Sequence, residues 1–402
     1  MPMVVFVLAA AVFAQGTSEF MLSGLLEPMA ADLGVPIGSA GLLTSMFAVG
    51  MIIGAPVMAV TASRWPVRHS LTGFLALFVA AHIVGALTST FGLLLATRVV
   101  AAVANAGFLA VALAALPALV GAERVGRATS IILSGVTVAC IAGVPAGAAL
   151  GHVLGWQSAF WAVVLVGVPA LAATWLLVPA RDHRAHPPAE HLSLRSELWV
   201  AGRPRVWVVM VVGALVNAAI FAGFTYLAVV ATEVGGAGEA WVPVVLALFG
   251  VGSFAGVSGA ARCTDRQAAL VVAAGVVVLP LVWAVTALAA ALLPVLLLMV
   301  VVGGAVSFAV GSILIGRIVS AAAPTAPRLS GAFATTAFNA GAAAGPAVAG
   351  VAIGIHGSVS AALWVSAALA AAATAITAAG RGLMTPPVSP AEEPAPERTP
   401  TN

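Results

Sequence analysis

Residues 179–205, PARDHRAHPPAEHLSLRSELWVAGRPR, form the longest polar stretch of the chain and hold five arginines, Arg181, Arg184, Arg195, Arg203 and Arg205. Long apolar runs flank it on both sides. A helix rises about 1.5 Å per residue, so crossing roughly 30 Å of hydrocarbon takes about 20 apolar residues. Six such runs precede the stretch, at about 4–26, 40–61, 70–89, 92–116, 128–150 and 157–178. Six follow it, at about 206–231, 242–261, 268–290, 293–316, 330–353 and 359–379. The expected fold is an all-α membrane protein: twelve transmembrane helices in two pseudo-symmetric six-helix halves. The halves are 1–178 and 206–380, with 179–205 as a cytoplasmic linker and 381–402 as a disordered cytoplasmic tail.

Composition points the same way. The chain is 62% hydrophobic and 7% charged, with a mean hydropathy of +1.15, whereas soluble domains are about 25% charged. No stretch is left over for a soluble domain. The N-terminal run lacks a basic region and continues past Ala14 to Leu26, so it reads as an uncleaved first span rather than a signal peptide.

All sixteen basic residues counted as Lys+Arg are arginine. Fifteen fall in alternate gaps: Arg64 and Arg68; Arg124 and Arg127; the five of 179–205; Arg262 and Arg266; Arg317 and Arg328; and Arg381 and Arg398 in the tail. Excess positive charge in short loops marks the cytoplasmic side. The register therefore predicts an even number of crossings with both termini cytoplasmic. The net charge of +3 belongs to these loops and suits an anionic inner leaflet; it does not argue for nucleic acid. Cys140 and Cys263 fall at different depths, and no disulfide is expected.

The two halves align at an offset of about 202 residues. Ser63-Arg64 matches Asp265-Arg266, Gln15 matches Asn217, Asn105 matches Ser307, and Pro145 lies 201 residues before Pro346. Parallel repeats of this kind place a substrate site near the bilayer midplane and alternate its access by rocking.

Ionisable groups inside spans are functional candidates, because placing one at a helix centre costs roughly 2.5–3.5 kcal/mol. Glu19 is the acid in VFAQGTSEFMLSGLL (12–26); it either exchanges protons, or is a structural acid that stays protonated or bonds a neighbouring helix. Arg98, in LLLATRVVAAVANAGF (93–108), is the only basic residue inside a run. It cannot lose its proton, so it either acts as a counter-charge to Glu19 or snorkels to the outer interface. His82 either titrates or, as a lone helical histidine more often does, serves as a hydrogen-bonded structural residue. The buried amides Gln15, Asn105, Asn217 and Asn339 bond between helices or face a polar, uncharged substrate. Met21, Met46, Met51, Phe47, Phe224 and Tyr226 are candidates for an adaptable apolar lining. In the fifth span, SGVTVACIAGVPAGAALG (134–151), Gly135, Gly143, Gly147 and Gly151 with Pro145 offer either close helix packing or a hinge and seal between halves.

The chain has no lysine and so no Walker-type loop, which argues against ATP-driven pumping. No Cys/His set has metal-ligand spacing, and no cofactor is expected. A membrane-embedded enzyme should show a polar catalytic cluster at one membrane face, and a sensor should carry a soluble output domain. Neither is visible.

These motifs resemble the major facilitator superfamily, drug:proton antiporters with twelve spans. GVPAGAALG (143–151) is similar to the fifth-span antiporter motif, and LLLATRVVAAVANAG to the fourth-span motif, whose arginine is Arg98. VTASRWPVRHS (60–70) resembles the family's loop signature through Arg64 and Arg68, but Ser63 replaces its Asp and Pro66 its Gly. GAARCTDR (259–266) restores the acid as Asp265, followed by Arg266. Residues 11–59, with ANAGFLAVALA (104–114) and FNAGAAAGPAVAG (338–350), resemble the chloramphenicol-efflux proteins of high-GC actinobacteria, with Glu27 inserted in GLLEPMA. The resemblance implies an inner-membrane carrier that acts as a monomer, exports a small uncharged antibiotic and takes up protons. Sugar exporters share GTSEF (16–20), so another solute stays open.

Overall fold

The computed structural model describes residues 1–61, 65–179, 199–326 and 329–380; the side chains of 55–61 and of Ala122 are not described. Arg64, with Ser63, lies outside the described residues, as do most of the expected linker and the tail.

Among the described residues there are twelve helices long and apolar enough to cross a membrane. They are α1 (Met3–Gly24), α2 (Ile37–Gly54), α3 (Val67–Leu87), α4 (Phe91–Val120), α5 (Val125–Leu154), α6 (Gln157–Leu177), α7 (Pro204–Val234), α8 (Glu239–Ala260), α9 (Asp265–Leu288), α10 (Leu293–Ala322), α11 (Ser330–His356) and α12 (Ala361–Ala379). The twelve-helix expectation holds, with most ends shifted by a few residues. Helix ends follow local chemistry: α9 starts in a capping box, where Thr264 accepts from the Gln267 amide and the Gln267 side chain accepts from the Thr264 amide, satisfying first-turn donors.

Packing repeats between the halves. In the first, α1 lies on α5 and α6, α2 on α4, and α3 on α4 and α6; in the second, α7 lies on α11 and α12, α8 on α10, and α9 on α10 and α12. Glycines spaced four apart explain the tight α2–α4 and α8–α10 pairs. A Cβ on Gly50 would stand 2.6 Å from the Val99 carbonyl oxygen, and one on Gly54 would stand 2.9 Å from Val103 Cα. At the same offset of 202, Gly252 and Gly256 abut the Val301 and Ala305 carbonyls. Where no side chain intervenes, backbones approach closely and dispersion holds the helices.

The halves meet through α2 with α11 and α5 with α8. Their polar links sit at the membrane face opposite the arginine loops. Tyr226 on α7 donates to the Gly38 carbonyl at 3.1 Å, with the Pro346 carbonyl also at 3.1 Å. Thr232 donates to Glu27 at 3.3 Å, so the inserted acid touches the other half. His152 and Glu239 pair at 3.6 Å. At this face the α1 helix tightens to a 3-10 turn over Met21–Gly24, and Gly24 packs on Ala148 and Leu246.

Candidate functional site

The buried polar groups of the first half converge near the end of α1. Arg98 is 1% exposed. Its Nη1 donates to Ser18 Oγ at 2.8 Å and its Nη2 to the Ser18 carbonyl at 2.8 Å. The guanidinium also stacks on Phe47, 4.4 Å from the ring centroid. It does not reach the outer interface; snorkelling is not its arrangement.

His82 completes the network. Its Nδ1 lies 2.7 Å from the Phe78 carbonyl and its Nε2 lies 2.6 Å from Ser18 Oγ. A carbonyl only accepts, so Nδ1 carries a proton. In the neutral ring Nε2 is then the acceptor, so Ser18 Oγ donates to it while accepting from Arg98. Phe78 and Phe160 flank the ring, with centroids at 4.2 and 5.7 Å. The structural role expected for His82 matches this bonding. Ser18 was not singled out by sequence, since a helical serine ordinarily bonds its own backbone.

Glu19 is partly buried. It makes no hydrogen bond or ion pair with the described residues, yet it interacts electrostatically with Arg98 and Cys140. An acid bonded to a neighbouring helix is therefore not what the structure shows. One turn earlier, Gln15 is 1% exposed, and neither of its amide atoms has a hydrogen-bond partner. The Arg98 Nε is also buried without one.

The other candidates separate. Phe224 belongs to an aromatic row between the halves: Phe20 stands 5.7 Å from Phe221 and 6.1 Å from Phe224, and Phe224 stands 4.7 Å from Phe249. Asn217 donates to the Phe338 carbonyl at 2.6 Å, an α7–α11 bond, and Asn339 to Thr335 of its own helix at 2.9 Å. Asn105 and Met51 are nearly buried, and Met46 is half-buried. Met21 and Tyr226 have no exposed surface: Met21 packs beside Gly147 and Tyr226 ties α7 to α2. In this conformation neither presents a side chain to open space.

The small face of α5 turns toward α1, within its own half. A Cβ on Gly135 would reach the Ala9 carbonyl, on Gly143 the Thr17 hydroxyl, on Gly147 Met21 and on Gly151 Leu25. Close packing is the reading this supports. The approach between halves is made instead by Gly250 of α8, whose Cβ would stand 2.6 Å from the Cys140 carbonyl. Residues Ala139–Gly143 form a π-turn directly before Pro145. Proline leaves the Ile141 carbonyl without its usual donor, and a wider turn accommodates that gap.

Of the loop residues, Arg68 stacks on Trp175 at 4.0 Å. Asp265 and Arg266 are exposed at the start of α9.

A model of the Major Facilitator Superfamily matches residues 8–335. The chain is 49% identical over 389 residues to a chloramphenicol resistance protein of Streptomyces lividans, covering 96% of this chain and 98% of that one. It is 29% identical over 346 residues to the inner membrane transport protein YdhP of Escherichia coli K12, covering 86% and 87%. Among solved structures, a bacterial homologue of the human lysosomal transporter Spinster, inward-facing and unoccupied, superposes with a TM-score of 0.74 at 16% identity over 95% of each chain.

Proposed function

Because the chain belongs to the Major Facilitator Superfamily and is a multi-pass membrane protein, we propose that it exports chloramphenicol, or a similar small uncharged antibiotic, across the cytoplasmic membrane in exchange for protons. The observation that carries this reading is the 49% identity, over 96% of the chain, to a chloramphenicol resistance protein. The geometry supports the coupling. Glu19 is an acid without a partner among the described residues, within the electrostatic reach of a buried arginine, and the next residue, Phe20, meets the other half. Such a group can take a proton from one side and give it to the other. The aromatic row of Phe20, Phe221, Phe224 and Phe249 offers an apolar wall to a drug with an aromatic ring.

In this reading the linker 179–205 joins two rocking halves, both termini are cytoplasmic, and the monomer is the working unit. The face sealed by Tyr226 is the external one. A proton moving inward down 100 mV gains about 2.3 kcal/mol, and each pH unit adds about 1.4 kcal/mol. Exchanged one for one with a neutral drug, it supports a gradient of tens- to hundreds-fold.

The test is uptake of labelled chloramphenicol by cells with and without the protein, before and after collapse of the proton gradient. Lower accumulation that rises to the empty-cell level on collapse is the expected result. No difference between the cells would sink the drug reading, and transport of a labelled sugar instead would reassign the substrate. Topology is tested separately, with Cys140 and Cys263 replaced. Single cysteines in the loops near 62–69, 121–127, 179–205, 262–267 and 317–329 should resist an impermeant thiol reagent on intact cells. Labelling from outside would reverse the orientation.

A further inference from the structure

We propose that Ser18 is a positioning residue: its hydroxyl and carbonyl form one of two seats for the Arg98 guanidinium, the Glu19 carboxylate being the other, and the guanidinium changes seats as Glu19 loses and regains its proton. The inference rests on the antiport reading above and adds to it the residue that holds the counter-charge away from the acid.

Ser18 is unusually well prepared to accept. Its two oxygens meet two N–H groups of the planar guanidinium, each at 2.8 Å, which is the fork geometry that arginine favours. His82 fixes the hydroxyl from the other side at 2.6 Å, and is itself fixed by the Phe78 carbonyl. The lone pairs of Ser18 Oγ are therefore aimed at Arg98 by a ring on a third helix. The second seat is adjacent in sequence, its carboxyl unbonded, and it acts on Arg98 electrostatically without being paired to it. Arg98 Nε, buried and without a partner, is the donor left over by the first seat.

The groups around this pair are few. The titratable and charged ones are Glu19 from α1, His82 from α3, Arg98 from α4 and Cys140 from α5. Helix α2 contributes the Phe47 ring and α6 the Phe160 ring. No second cation competes for Glu19 within this set. A neutral Glu19 attracts the guanidinium weakly and leaves it on the serine, the seat it occupies in this structure. When Glu19 gives its proton to water, the carboxylate offers a charge-assisted bond about twice as strong as a neutral one. Arg98, unchanged in protonation, then neutralises the acid, and α1 and α4 shift their grip on one another.

A double-mutant cycle on the purified full-length protein without drug tests this. Ser18→Ala is made in the parent and in Glu19→Gln, and thermal midpoints are compared. With two seats, losing the Ser18 hydroxyl leaves Arg98 the carboxylate in the parent, but only the residue-18 carbonyl and a neutral amide in the Glu19→Gln background. The drop in the second background should exceed that in the first by at least about 2 °C. Ser18→Thr, which keeps the hydroxyl, should abolish the excess. Ser18→Cys, close in size and a poor acceptor, should reproduce it and serves if the alanine variant does not fold. A double variant that cannot fold where both singles do is a larger excess and counts in favour. Equal drops in both backgrounds, or an excess that persists in Ser18→Thr, would overturn the proposal. Substrate plays no part in the cycle, so a protein that fails to exchange chloramphenicol for protons sinks the antiport reading and leaves this result standing.

Discussion

The two halves are built alike and equipped differently. Gly50, Gly54 and Gly143 each meet the backbone or hydroxyl of a partner helix, and so do Gly252, Gly256 and Gly345 at an offset of 202. The amides Gln15 and Asn105 recur as the polar Asn217 and Ser307, but the ionisable rungs do not repeat. Where the first half has Ser18, Glu19, His82 and Arg98, the second has Ile220, Phe221, Ala284 and Val300. Close packing is needed in both halves, because six helices must touch in lipid without a hydrophobic driving force. Charge is confined to one. Every buried ion costs free energy, so a single ionisable cluster in one half, facing an apolar wall in the other, is the less costly arrangement. Phe221, standing where the repeat would place a second acid, is part of that wall and touches Phe20.

The sharpest way to break this comparison is to remove the acid. Glu19→Gln keeps the shape of the side chain and cannot ionise. Drug accumulation in cells carrying it should rise to the empty-cell level, a loss of tens-fold in the gradient that one proton supports, while membrane content stays parental. Full proton-driven efflux by this variant would take Glu19 out of the mechanism.

The converse experiment puts the charge where no seat exists. Val300 occupies the position that repeats Arg98 and is 3% exposed. Val300→Arg should cost about 2.5–3.5 kcal/mol and cut the yield of folded protein severalfold. Measured by fluorescence-detected gel filtration, a parental yield would show that the second half can seat a buried cation after all.

Much of this was legible beforehand. Long apolar runs and an alternating arginine register specify twelve helices, because the bilayer permits little else. Glu19 and Arg98 stood out for the same reason. What holds Arg98 did not. Ser18 and His82 lie 64 residues apart, on helices whose mutual rotation no local pattern encodes. The direction of the α5 glycine face was likewise open, since a spacing of four defines a face but not the neighbour it meets. The π-turn before Pro145 leaves no periodic trace.

The glycines sharpen the shared part of the comparison at smaller magnitude. A methyl on Gly143 would overlap the Thr17 hydroxyl, whereas one on Gly147 would stand 3.6 Å from Met21, an ordinary contact. Gly143→Ala should therefore destabilise by about 1–3 kcal/mol and lower drug efflux, and Gly345→Ala, against the Ala218 backbone, should behave alike. Gly147→Ala should fall within about 0.5 kcal/mol of the parent. Thermal unfolding in detergent separates them, and equal effects at Gly143 and Gly147 would mean that α1 and α5 adjust more freely than their contacts suggest.

The smallest effect concerns where the unlike halves are tied. Tyr226 sits in the second half and reaches Gly38 in the first, so its hydroxyl bonds best when this face is shut. Tyr226→Phe removes one hydrogen bond, about 0.5–1.5 kcal/mol, and leaves the ring in its packing. Neither carbonyl is stranded, because both belong to helix backbone. The closed population should therefore fall by about two- to tenfold relative to the open one. Spin labels at Leu87 and Leu292, exposed by 71% and 60% at this end of α3 and α10, report the separation. A larger share of long distances is expected in the variant. An unchanged distribution would mean that the Gly38–Gly350 and Gly24–Leu246 contacts hold the face shut alone, and that the tyrosine only fills space.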